Sequence, residues 1–189
     1  PFLSDKLSVI YNSYGEAFNR DKQENIDGIR RKYNLPKKYI FCLGNTSPKK
    51  NLTNTLKAYY LYLDSSVEKL PLVLADHSPG DLFLFLNSIN AKYKDYIRFI
   101  GYVNNSEIPT IYSCSQLFLY PSIRESFGIP LLEGMMMGTP VITSNTSCMP
   151  EIAGNAAIYV DPLEPNSIAE GIKMLSTNSE FRDQMIEAG

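Results

Sequence analysis

Seven short apolar runs recur along the chain, at Leu7–Tyr11, Tyr39–Leu43, Leu72–Ala75, Ile97–Ile100, Leu117–Tyr120, Val141–Thr143 and Ala157–Val160. Several have no polar position at alternate residues; Tyr39-Ile40-Phe41-Cys42-Leu43 is the plainest case. Strands that read this way are covered on both faces, which is the signature of a parallel sheet between helices. The stretches between them predict helices over 23–33, 52–63, 80–92, 106–113, 130–137, 165–176 and 179–188. Asp81 suits an N-cap ahead of Leu82, Phe83, Phe85 and Leu86, and Pro165 suits a first helical turn ahead of Ile168, Ile172 and Leu175. Alternating strands and helices with right-handed crossovers make an α/β, doubly wound, mostly parallel sheet with helices on both faces. Residues 12–25 are polar and irregular.

In a sheet of this kind ligands bind beyond the carboxyl ends of the strands. The strand pattern therefore marks Gly44–Lys50, Asp76–Gly80, Gly101–Asn105, Pro121–Gly128 and Ser144–Cys148 as the stretches to inspect.

Composition narrows the chemistry. The chain has 189 residues, 44% apolar and 20% charged, which fits one globular domain over residues 1–189. Eighteen basic against twenty acidic residues give a net charge of −2 and exclude a strongly basic nucleic-acid binder. Three cysteines at 42, 114 and 148 form neither a disulfide framework nor a C-x-x-C metal ribbon. They read as small core residues, and Met135, Met136 and Met137 as packing on a buried helix. With one histidine, His77, a multi-histidine metal site is excluded. His77 follows a predicted strand and reads as a surface or capping residue, with ligand contact as the alternative. No segment approaches the ~18 apolar residues that cross a bilayer. The chain starts without methionine and ends as a helix ends, and both ends read as those of a fragment of a longer protein.

Pro121–Pro140 carries the first candidate site. Pro130 suits the opening turn of a helix, while Gly138 and Pro140 stop it. Phe127, Gly128 and Ile129 precede that helix and supply no capping side chain, so its first N–H groups are left for water or for an anion such as a diphosphate. Gly128 removes the Cβ that would hold an anion away. Glu125 and Glu133 bracket this helix start, and two carboxylates so placed suit sugar or ribose hydroxyls. A first-turn glutamate is also favoured by the helix dipole alone. Gly44-Asn45-Thr46-Ser47-Pro48-Lys49-Lys50 follows a strand and opens another helix. It has neither Walker nor G-x-G-x-x-G spacing and reads either as a phosphate cradle or as a solvated turn.

Taken in order, Lys6–Asn12, Leu43–Leu52, Ile97–Val103, Leu117–Ser122, Glu125–Glu133, Gly138–Val141 and Pro150–Gly154 resemble the C-terminal, donor-binding half of glycosyltransferase family 4 enzymes, the "glycosyl transferases group 1" type. The resemblance runs from about Lys6 to Gly189. It implies a Rossmann-like domain, the second half of the two-domain GT-B fold, with the N-terminal acceptor-binding domain of the same protein as its partner. By resemblance Glu125 contacts the transferred sugar and Glu133 holds the ribose hydroxyls. Ser126, Phe127, Gly128 and Ile129 meet the diphosphate. Lys50 binds phosphate, with Gly44, Asn45 and Lys49 around it, and Tyr102 and Val103 lie where the base packs. Glu125 and Lys50 are the catalytic candidates.

The implied reaction is transfer of a sugar from a nucleotide diphosphate sugar to an acceptor hydroxyl of a glycan, lipid-linked or cell-surface polysaccharide, with retained configuration. No metal or other cofactor is implied. The implied location is cytoplasmic, with peripheral association at the inner face of the membrane, through the missing half, as the alternative. Asn45 stands where the family commonly has Arg, Ser126 where it has Gly, and Gly134 where it has Ala. The Lys49-Lys50 pair before Asn51 is shared with members similar to mannosyltransferases and points to a mannose-type donor. The competing readings are a non-catalytic nucleotide-sugar-binding or interaction domain, a GT-B-fold epimerase, and a phosphorylase of the same fold.

Overall fold

The structure is a computed structural model that describes residues 8–22, 25–77, 80 and 91–189. Six strands form one sheet: β1 (Ile40–Leu43), β2 (Leu72–Ala75), β3 (Ile97–Gly101), β4 (Leu117–Tyr120), β5 (Val141–Ser144) and β6 (Ala157–Val160). Their spatial order is β3-β2-β1-β4-β5-β6, and every neighbouring pair is parallel. This is the doubly wound Rossmann-like order, and it reverses direction between β1 and β4.

The continuous apolar runs have the expected cause. Ile40, Cys42, Leu72, Leu74, Leu117, Leu119 and Ile142 point to one face, where they meet α2 (Leu52–Ser65) and α6 (Pro165–Thr177). Phe41, Val73, Phe118, Tyr120 and Val141 point to the other. There they meet α1 (Ile26–Lys32), α3 (Ile108–Cys114), α4 (Ile129–Met136) and the short α5 (Met149–Ala153). Period-two alternation thus serves two apolar layers instead of one apolar and one wet face. Ile168, Ile172 and Leu175 of α6 are fully buried, as their helical spacing predicts, and α7 (Ser179–Ala188) follows with Asn178 capping its first turn.

Two expectations change and one falls largely outside the described residues. The run at Leu7–Tyr11 forms no strand over residues 8–11; Val9 and Ile10 are exposed, and Tyr11 instead donates to Glu151 (2.7 Å) and packs on Phe127. One short apolar stretch is too little to hold an edge strand against a sheet. The helix expected over 80–92, with its Asp81 cap, lies largely outside the described residues; its end falls in a 3₁₀ turn, Ala91–Tyr96. His77 is only 3% exposed, so it is an interior residue and not a surface one. Helix α5 has no counterpart in the sequence reading, because five residues are too short to carry a period.

Candidate functional site

The loops after β1 and β4 leave the sheet side by side at the point where the strand order reverses. The first contains a 3₁₀ turn, Pro48–Lys50, and the second runs from Pro121 to Gly128. Their side chains converge. Lys50 Nζ lies 2.9 Å from Glu125 Oε1 and 2.8 Å from Tyr120 Oη, and 4.9 Å from the centre of the Tyr120 ring. The lysine and glutamate side chains retain only 17% and 10% exposure, so solvent screens this pair less than it would a surface one.

Burial works against the charged form of Glu125. The ammonium of Lys50 and the hydroxyls of Ser122 and Tyr120 outweigh it, and the carboxyl ends below its usual range. It is therefore an anion at neutral pH, beside a cation.

The backbone around this pair is fastened from several directions. Asn51 is buried, in a left-handed conformation with φ 61°, and its Nδ2 donates to the carbonyls of Pro121 (2.9 Å) and Pro162 (2.6 Å). The N–H of Ile123 donates to the carbonyl of Lys49 (2.8 Å), tying the two loops directly. The loop after β5 adds a third hold. Ser147 Oγ donates to the Glu125 carbonyl (3.0 Å) and receives the Glu125 N–H (3.3 Å), and Cys148 Sγ reaches the same carbonyl at 3.5 Å. Asn45 is exposed, and its Oδ1 accepts from the N–H of Ser47 (3.0 Å), closing an Asx turn. A polar side chain that sets the turn thus occupies the position where the family commonly has Arg. Gly44 rests against the Lys50 stem, at 3.7 Å from where a Cβ would stand, and Lys49 is exposed beside it.

Gly128 opens α4 with φ 87°, a conformation that costs other residues strain, and no side chain caps the helix. Ser126 and Ile129 are exposed before and at this start, and Phe127 is half-buried. Gly134 lies where α4 meets β4. A Cβ there would stand 3.2 Å from the Phe118 ring and 3.6 Å from Tyr112, so the large aromatic pair occupies the volume that an alanine would take.

Glu133 has different neighbours. It lines a cavity of about 400 Å³ with Gly15, Glu16, Phe18, Asn105 and Ser106. Tyr112 Oη donates to its Oε2 at 3.3 Å, but burial dominates and lifts the carboxyl above its usual range. Of the pair at the β3 end, Tyr102 is 74% exposed while Val103 is 1% exposed, so the Val103 side chain belongs to the core and Tyr102 alone presents a ring to solvent.

The sequence reading placed the two glutamates and Lys50 at one end of the sheet but missed what supports them. Tyr120, Ser122, Asn51 and Ser147 gave no signal of their own, since each acts through a contact between loops far apart in sequence. The wall at residues 15–18 lay in the stretch read as irregular. Among the described residues no group of three or more His, Cys, Asp or Glu side chains gathers as a metal site, and no helix is long and apolar enough to cross a membrane.

Strand order and the place of the Lys50–Glu125 cluster define a doubly wound α/β protein with a charged site at its switch point. The family model for glycosyl transferases group 1 matches residues 25–189, and the chain belongs to that family. It is 30% identical over 157 residues to the O-antigen chain mannosyltransferase B of Escherichia coli, covering 82% of this chain and 41% of the relative. It is 31% identical over 170 residues to the O-antigen chain mannosyltransferase RfbU of Salmonella typhimurium, covering 90% and 44%. The chain thus spans less than half the length of these relatives. Among solved structures, WaaG, a glycosyltransferase involved in lipopolysaccharide biosynthesis, superposes with a TM-score of 0.80 at 18% identity, covering 98% of this chain and 51% of that one. The C-terminal domain of the group 1 family protein LpcC from Francisella tularensis superposes with a TM-score of 0.72 at 24% identity, covering 94% of both. These likenesses identify the fold as that of GT-B glycosyltransferases.

Proposed function

We propose that this chain is the donor-binding domain of a retaining hexosyltransferase, which moves a sugar from a nucleotide diphosphate sugar to an acceptor hydroxyl. The observation that carries this reading is the Lys50–Glu125 pair, 2.9 Å apart at the switch point, with Glu125 in the loop that leads to the uncapped start of α4. Lys50 and the N–H groups at 128–129 neutralise the leaving diphosphate, and Gly44, Asn45, Lys49, Ser126 and Phe127 shape its surroundings. Glu125 faces the transferred sugar, where a carboxylate held ionised stabilises positive charge developing at the anomeric carbon. Glu133 binds the ribose diol in its cavity, and the exposed Tyr102 ring supports the base.

The relatives' names support a mannose-type donor and an acceptor on a cell-surface polysaccharide. The acceptor binds the N-terminal domain of the same protein. The enzyme works in the cytoplasm, at the inner face of the membrane where a lipid-linked acceptor would be held, and the diphosphate is neutralised without a metal ion.

The test is a thermal-shift screen of this chain against UDP, GDP, ADP and their sugars, with and without EDTA. Binding to the native state raises its melting temperature by mass action. One nucleoside diphosphate is expected to stabilise the chain well above the others, equally in EDTA. A flat response to all three would refute the donor-binding reading, and a shift abolished by EDTA would refute the metal-free one.

A further inference from the structure

Tyr120 lies at the end of β4, and the donor-site reading gives it no task. Its side chain is 2% exposed, stacked on Phe118 with ring centres 5.4 Å apart, so its direction is fixed by the core. The hydroxyl at its tip accepts a hydrogen bond from Lys50 Nζ at 2.8 Å. Lys50 also donates to the Glu125 carboxylate. Lys50 thus bridges the two groups, of which the tyrosine is the neutral one.

We propose that Tyr120 is a positioning residue of the donor site, whose hydroxyl fixes the Lys50 ammonium toward an anionic ligand. This deepens the donor-site reading and rests on it. A carboxylate partner alone would hold Lys50 by cancelling its charge, which is the charge a diphosphate needs. A hydroxyl holds it without cancelling anything. An ammonium has three donors, and Glu125 and Tyr120 occupy two in directions set by the fold. The third N–H is thereby oriented before a phosphate oxygen arrives, which lowers the ordering entropy that binding must overcome. The ring adds to this, since a cation 4.9 Å from its centre is attracted by the π face.

The other titratable groups around Lys50 leave this arrangement intact through the neutral range. Burial pushes the Cys42 thiol up to about 12, against the opposing charge of Lys50. Burial raises Tyr112, which neighbours Glu133 and Tyr120, well above its usual value. Tyr120 is itself raised by burial, so its hydroxyl stays protonated.

Tyr120→Phe removes the hydroxyl and keeps the buried ring. Two measurements on this chain test the proposal. The first is calorimetric affinity for the nucleoside diphosphate selected by the screen and for the matching nucleoside. The second is the NMR titration of the Glu125 carboxyl carbon without ligand. The variant is expected to lose about tenfold in diphosphate affinity, the scale of one hydrogen bond to a charged group, and nothing for the nucleoside. Its Glu125 is expected to titrate at higher pH than in the wild type, since Lys50, no longer held by the hydroxyl, stabilises the carboxylate less while burial remains. Equal loss for both ligands, or an unmoved Glu125 titration, overturns the proposal and leaves Tyr120 a packing residue. Tyr120→Leu serves as the folding control, because loss of the ring also removes packing. If the wild type binds no nucleoside diphosphate, the donor-site reading fails and the proposal falls with it; the Glu125 titration then still reports whether the hydroxyl holds Lys50 beside that carboxylate.

Discussion

Glu133 and Glu125 are both glutamates near one helix start, yet their surroundings drive them in opposite directions. Burial lifts Glu133 above the usual value near 4.5, with only the Tyr112 hydroxyl opposing. The folded chain then binds this proton more tightly than the unfolded chain does. The resulting stabilisation is full below the usual value and is lost as pH rises through the raised one. Glu125 is lowered, because Lys50, Ser122 and Tyr120 outweigh burial; its contribution is present above the usual value and is lost as pH falls through the lowered one. Glu133→Gln isolates the first effect. As pH rises from about 4 to 7, the wild type's melting temperature should fall relative to that of the variant, because only the wild type must ionise a half-buried carboxyl. The same substitution should weaken nucleoside diphosphate binding by about 1–3 kcal/mol, the scale of hydrogen bonds to a charged group. Parallel melting curves would contradict the raised carboxyl, and unchanged calorimetric affinity would contradict the ribose assignment.

At the scale of elements, the loops after β1, β4, β5 and β6 are bound into one unit, and Asn51 ties the first of them to those after β4 and β6. Its amide satisfies two carbonyls on two other loops, and its left-handed backbone is one that Asn tolerates better than most residues. Asn51→Ala should lower stability by about 2 kcal/mol or more, since buried carbonyls are left unpaired and the backbone is strained. Asn51→Gly relieves the strain alone and should lose less. Chemical denaturation of both variants reads the two contributions separately. A midpoint unchanged in Asn51→Ala would mean that water replaces the amide at both carbonyls.

The whole molecule has one sheet and two apolar layers, and the site sits where the winding of the sheet reverses. All the groups that would hold a donor come from this one domain. In the proposed reading the acceptor is held by the N-terminal domain of the same protein. The chain by itself is therefore expected to bind nucleoside diphosphate but to transfer nothing. Incubation with the preferred sugar nucleotide and a polysaccharide or lipid-linked acceptor, followed by product analysis, checks this. Measurable transfer would place acceptor binding within these residues.

The sequence by itself determined the strands at β1 to β6, nearly to the residue, because each is a short, mostly apolar run between helices; the run at Leu7–Tyr11 reads the same way, and only the structure separates it from them. It determined the uncapped, glycine-led start of α4, because capping is local chemistry spelled out by adjacent residues. It also brought Lys50, Glu125 and Glu133 to one edge, since doubly wound sheets collect the loops that follow their strands. What only the tertiary structure decided is how those residues are held. Lys50 meets Glu125 across 75 positions, Asn51 reaches Pro162 across 111, and Tyr11 reaches Glu151 across 140. Contacts of that range leave no period or spacing in the chain. Nor does the sequence separate Val103, sealed in the core, from Tyr102, open to solvent, because neighbouring residues at a strand's end part company only when the layers close over one of them.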